Sequence, residues 1–258
     1  MPTKLEIRRQ RSILRERFNL ARKTESSFGR QLRSVASNIE MIIRHAMPHF
    51  ESPADLIDQF DPLKKALEQY SILIAPWAHS VSERMISQVS RRDAYAWAKL
   101  GETMGRSLKN EIATAPTGQA LRGYLQEQVH LITSLPLEAA ERVHKMTLQG
   151  IAEGTRASEI AKKILETGKV TKSRAMLIAR TEVARTASAF VMVRAQHVGS
   201  EAYTWQTSKD EDVRPSHRAM QGKVVRWDTP PVLSDGTQTH AGMIYNCRCW
   251  PEPLLPED

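Results

Sequence analysis

The chain has 258 residues, 41% of them apolar, room for one large or two ordinary domains with a real core. No apolar run approaches the roughly 20 residues that a bilayer span requires, and the opening residues lack the apolar stretch of a secretory signal, so a soluble, cytoplasmic chain without a membrane partner is expected. Of the formal charge of +8, the stretch up to Phe50 supplies +7, with eleven basic residues against four acidic ones, an asymmetry that suggests a polyanion or an acidic partner.

Arg8, Arg9, Arg11, Arg15, Arg17, Arg22 and Lys23 carry much of that excess and define a basic arm over residues 1–50. Aromatic side chains are not interleaved with them, so base stacking is not indicated. A nucleic-acid contact here would be made to phosphates and would weaken with salt. A basic helix face that is simply solvated is the plain alternative. Further along, Leu32, Val35, Ala36, Ile39, Ile42, Ile43 and Ala46 recur at the spacing of one buried helix face, with Pro48 just beyond.

Residues 51–135 continue as helices in a bundle or stalk. Pro53, Pro62, Pro76, Pro116 and Pro136 mark boundaries, first turns or kinks. Leu63, Leu67, Tyr70 and Ile74 supply one apolar face; Tyr95, Trp97, Leu100, Met104 and Leu108 supply others. The expected division is a helical region over 1–135 and a second domain over 136–258.

A helix is predicted from about Thr155, with Ile160, Ala161, Ile164 and Leu165 as its stripe and Gly168 as its end. The next is capped by Thr171 and runs to about His197, burying Met176, Ala179, Val183, Ala187, Phe190 and Val191. It contains Arg180-Thr181-Glu182. Glu182 and Arg185, three apart, can pair on its surface.

After Gly199 the period changes. Ala202 to Thr207 alternates as a strand, Pro215 to Gln221 forms a short helix stopped by Gly222, Lys223 to Trp227 is a second strand and Tyr245 to Trp250 a third. The tail from Pro251 is extended, either frayed or laid along the sheet. The fold class that follows is an α-helical N-terminal region and a small α+β domain, a helix pair on a short, largely antiparallel sheet.

The order Gly154-Thr155-Arg156, Arg180-Thr181-Glu182, Trp205, Asp212 with Arg214 and His217, Gly222, Pro230-Pro231 and Asn246-Cys247-Arg248-Cys249 resembles the C-terminal domain of the phage Mu F-like minor head proteins, also called phage head morphogenesis proteins, over about residues 137–258. The resemblance implies a minor component of a tailed-phage or prophage head. Such a protein works with portal and capsid or scaffold subunits during procapsid assembly, in the host cytoplasm and then in the virion head, and in some members associates with DNA. It also implies a signature polar network of Arg180, Thr181, Glu182, Asp212, Arg214, His217, Gly222 and Asn246, with no catalytic residue. The basic arm would supply anchoring and the C-terminal domain a self-contained, stable head. The sequence stops soon after the signature, so no fused toxin domain is expected.

The two cysteines lie one residue apart, where backbone geometry opposes a mutual bridge, so no disulfide framework is implied. No cofactor is required. Thiolates and imidazoles are nevertheless good zinc ligands, and Cys247, Cys249, His217 and His240 could form a four-ligand structural site, with Asp212 as a substitute. Relatives with a fuller pattern carry an upstream Cys-x-x-Cys that this chain lacks. In the alternative, the cysteines alternate across a strand, one packed and one outward, and His217 bonds a loop carbonyl or Glu182. Two other functions compete: a hydrolase or nuclease-like enzyme using Glu182 and His217, and a free basic DNA-binding protein. No nucleophile elbow, phosphate-binding glycine loop or recognition helix accompanies either.

Overall fold

A computed structural model describes residues 4–46, 53–103 and 114–256. Pro48, His49, Met104, Gly105 and Leu108 lie outside the described residues, as do the side chains of Arg8, Arg9, Arg11, Arg15 and Arg17. The elements, in chain order, are α1 (Lys4–Ala46), α2 (Pro53–Leu73), α3 (Ala75–Thr103), α4 (Thr117–Ala152), α5 (Ala157–Leu165), α6 (Thr167–His197), β1 (Ala202–Gln206), α7 (Pro215–Arg218), β2 (Val224–Arg226) and β3 (Trp250–Leu254). Long helices followed by a small antiparallel sheet are the predicted fold class. None of the described helices is long and apolar enough to cross a membrane.

Two compact units emerge, and they are interleaved in sequence. One comprises residues 1–26, 83–125 and 180–258, the other 27–82 and 126–179. The helices α1, α3, α4 and α6 contribute to both, so the units do not follow the linear division at residue 135.

The second unit is aliphatic. Phe28, Leu32, Val35, Ala36, Ile39 and Ile43 line one side of α1 and are buried, because a 3.6-residue period returns each to the same face. Leu67 of α2, Ile132 and Leu135 of α4, and Ile160 and Ile164 of α5 are likewise fully buried, each worth about 1.5–3 kcal/mol of transfer free energy. Gly150 sits where a Cβ would come 2.5 Å from the Ile160 side chain, so a larger residue there would force Ile160 to shift. The unit's ion pairs lie at the margins, as Lys172 with Glu40 at 2.7 Å, while buried hydroxyls bond backbone, as Ser71 Oγ donating to the Thr133 carbonyl at 2.6 Å. Gly168 does not end a helix. It lies in the first turn of α6 against the Glu40 side chain, while Thr171 is internal and donates to the Thr167 carbonyl at 2.9 Å.

In the first unit, three strands in the order β2-β1-β3 pair antiparallel, Tyr203 opposite Val225 and Pro253, Trp205 opposite Pro251. The third strand is therefore Trp250–Leu254 rather than Tyr245–Trp250. Asn246 adopts φ 54, which breaks an extended run, and the proline-containing tail tolerates an edge position because prolines leave no N–H to pair. Tyr203 and Trp205 alternate inward from β1. They pack with Trp227, Val225, Leu233, Cys247 and Cys249, with Val191 and Ala195 of α6, and with Trp97 and Leu100 of α3. The C-terminal domain is thus not self-contained. Its core takes a fully buried tryptophan from α3, a helix that sequence reading assigns to the N-terminal region. Tyr95, expected on the same apolar face, is exposed. Beneath this core Asp93 of α3 and Arg194 of α6 form a buried ion pair, with the Arg194 guanidinium 5.4 Å from the Phe190 ring.

Candidate functional site: a thiol and imidazole corner held by a clamped turn

The chain leaves β1 into a loop that returns as α7, opened by Pro215 at its first turn. Gln221 ties the loop back: its Oε1 accepts from Thr207 N–H at 2.9 Å and from Thr207 Oγ1 at 2.7 Å. Gly222, at φ 79, donates its N–H to the Trp205 carbonyl at 2.8 Å, a conformation that residues with a Cβ rarely adopt. Ser216 Oγ donates to Asp235 at 2.7 Å, and with the Thr237 N–H it holds that carboxyl down at about 2. So fixed, α7 turns His217 inward, edge-on to the Trp205 ring with centroids 5.6 Å apart.

From the other side comes the stretch around Asn246. Arg180 donates to Asn246 Oδ1 at 2.9 Å and the Asn246 N–H donates to Thr181 Oγ1 at 2.9 Å, so two adjacent α6 side chains clamp this left-handed residue. Arg180 is itself paired with Glu25 of α1 at 3.2 Å. Gly242, φ 79, lets the preceding loop pass against α6: a Cβ there would lie 2.1 Å from Ser188 Oγ. Beyond the clamp Cys247 and Cys249 both face inward, 2% and 4% exposed, which overturns the expectation that one points outward. Their sulfurs lie 3.4 and 3.5 Å from His217 Nδ1, and the Cys249 N–H approaches Cys247 Sγ at 3.4 Å. The hydrogen bond from Cys249, helped by His217, lowers the pKa of the Cys247 thiol, and that same bond and burial raise that of Cys249.

The remaining signature residues fall into separate local pairs rather than one network. Glu182, 1% exposed, pairs with Arg185 at 3.2 Å. Asp212 is exposed and pairs with Arg248, which also reaches Asp210 at 3.1 Å. Arg214 donates to the Tyr245 carbonyl at 3.2 Å and lies over the Tyr245 ring. His240 is not with the cysteines. Its Nδ1 lies 3.1 Å from Tyr203 Oη, and burial lowers its pKa, while the described cluster of metal-ligating groups is His217, Cys247 and Cys249. Sequence reading placed Thr181 and Asn246 in one polar network without pairing them, and gave Ser208 and Asp210 no role. These last two line a small cavity of about 10 Å³ with His217, Cys247 and Cys249; Glu182 does not line it. Of the predicted polyanion-binding residues whose side chains are described, Arg22 and Lys23 are exposed, as is Arg30.

Residues 141–251 match the family model described as Phage Mu protein F like protein. An uncharacterized protein of Haemophilus influenzae is 31% identical over 181 residues, 65% of this chain and 38% of its own length. An uncharacterized protein of Methanocaldococcus jannaschii is 32% identical over 107 residues, 41% of this chain and 16% of its own. The chain therefore spans well under half the length of the curated relatives it matches. No solved structure matches it.

Proposed function

From a segment that resembles the Mu F-like head morphogenesis proteins over residues 141–251, we propose that this chain is a minor head protein of a tailed phage or prophage, acting as a structural part rather than an enzyme. In this reading it docks on portal or capsid subunits during procapsid assembly and touches packaged DNA through phosphates. The family match carries the reading. It ends at Pro251, inside β3, so it takes in the Asn246 turn, both cysteines and His217.

Electrostatics support a polyanionic or acidic partner. The described acidic residues of α1 are engaged by cations: Glu16 by Lys99, Glu25 by Arg180, Glu40 by Arg44 and Lys172. Arg22, Lys23 and Arg30 are exposed, with no ion pair among the described residues, so the net field of this helix is positive. Removing residues 1–50 would not test the arm, because Phe28, Leu32 and Ile39 belong to a core. Charge reversal would. With Arg22→Glu, Lys23→Glu and Arg30→Glu combined, binding of the full chain to duplex DNA should weaken, its log–log salt slope flattening by about 0.9 for each phosphate that is no longer neutralised. Pull-down on purified portal rings should weaken in parallel if the portal contact is also electrostatic. A wild-type chain that binds neither portal rings nor capsid subunits would overturn the proposal.

The enzyme alternative draws no support from the geometry. Glu182 is engaged by Arg185 and His217 by two sulfurs, and Glu182 does not line the small cavity that His217 lines, so the acid and base that hydrolysis would use do not converge there.

A further inference from the structure

We propose that His217 Nδ1, Cys247 Sγ and Cys249 Sγ hold a zinc ion, with the fourth coordination position opening on the cavity lined by Ser208 and Asp210. Spacing speaks for it first. A tetrahedral zinc with Zn–S of about 2.3 Å and Zn–N of about 2.0–2.1 Å separates each nitrogen–sulfur pair by roughly 3.5 Å. The observed separations are 3.4 and 3.5 Å, and the three ligand atoms all lie within 4.8 Å of one another. Sulfur is a weak hydrogen-bond partner, so an imidazole nitrogen set at nearly equal distances from two sulfurs is poorly served by hydrogen bonding alone. As a coordination corner the same geometry is what a metal requires.

Polar atoms around the corner point the same way. Ser208 Oγ and Asp210 Oδ1 are buried, line the same small cavity as all three ligands, and have no hydrogen-bond partner among the described residues. Buried polar atoms normally find one. A water on the metal's fourth position would satisfy both, and a cavity of about 10 Å³ is close to the minimum that holds one water. One outer-sphere donor is in place, the Cys249 N–H pointing at Cys247 Sγ as backbone donors do to metal thiolates, while His217 Nε2 is buried without a hydrogen-bond partner among the described residues. Arg248, the residue between the two cysteine ligands, is itself held by Asp210 and Asp212. His240 is excluded because Tyr203 engages it elsewhere. The upstream Cys-x-x-Cys that this chain lacks is not needed, since three protein ligands and a water complete a tetrahedron.

Zinc binding at this corner is independent of the assembly role and is tested without it. The full chain, untagged and purified without chelators, should carry about one zinc per chain by elemental analysis. Cys247→Ser, Cys249→Ser and His217→Ala should each lose it, whereas His240→Ala should retain it. Should the ligand variants fail to fold, X-ray absorption on the wild-type zinc protein decides instead. Two sulfur and two nitrogen or oxygen neighbours support the assignment, and with only two cysteines in the chain the sulfur count is unambiguous. A wild-type chain with less than roughly a tenth of a zinc even after equimolar zinc is supplied, loss of zinc in His240→Ala, or a first shell without sulfur would each overturn it.

Discussion

The helical unit of residues 27–82 and 126–179 and the unit that carries the cassette beyond Gly199 close their cores by opposite means. The first buries aliphatic stripes along α1, α2, α4 and α5 and leaves its ion pairs at half-exposed margins. The second buries Trp97, Tyr203 and Trp205, two thiols, an imidazole and a complete Asp93–Arg194 ion pair, with three short strands as its sheet. An aliphatic stripe is redundant, because each residue adds one increment and tolerates repacking. A core of aromatic rings and buried polar groups is brittle, because a buried polar group that loses a partner is left unsatisfied at low dielectric.

That contrast fixes where substitutions should hurt. Asp93→Ala leaves a buried guanidinium uncompensated and should cost about 3–5 kcal/mol, read by guanidinium denaturation. A loss below about 1 kcal/mol would show that Arg194 reaches water, as surface pairs do. Trp97→Ala should cost about as much, 3–5 kcal/mol, and should also quench the near-ultraviolet dichroism of the cassette tryptophans. An unchanged dichroism would mean that the cassette core closes without α3.

Gly242→Ala comes next. Its added methyl meets Ser188 Oγ and the Cys249 carbonyl at positive φ, so a loss above about 1 kcal/mol is expected, with Ser188→Ala recovering the part due to the clash.

The smallest effect belongs to the helical unit. Lys172→Ala should cost only about 0.2–1 kcal/mol and less in high salt. Hydrogen bonds from Lys172 and then Arg44 hold the Glu40 carboxyl below its ordinary value of 4.5. A carboxyl lowered in the folded state stabilises at pH above the ordinary value, and that contribution is lost as pH falls through the folded one. The difference between wild type and Lys172→Ala should therefore shrink as pH drops below about 4.5, measured by denaturation at matched ionic strength. A difference that grew in acid would contradict the pairing.

Periodicity made the helical unit legible. The positions from Leu32 to Ile43 repeat on one face, and a face is all that a helix in such a core needs. The cassette was legible by element type, and β1, α7 and β2 lie within a few residues of their predicted bounds. The third strand was displaced because the turn at Asn246 is held from outside by Arg180 and Thr181, 66 and 65 residues away in sequence, a contact that no local pattern encodes. The thiol corner was half legible for a similar cause. Residue types marked Cys247, Cys249 and His217 as a set, but only the fold separates His217 from His240. Ser208 and Asp210 had no distinguishing signal, since loops commonly carry serine and aspartate.

A role in head assembly is tested most directly by mass-spectrometric quantitation of this chain in procapsids purified from cells that express it with its cognate portal and major capsid proteins. The wild-type chain should co-purify at a fixed ratio to portal, and Trp97→Ala, which breaks the cassette core, should abolish incorporation. Procapsids that form with portal present and exclude a folded wild-type chain would contradict that role.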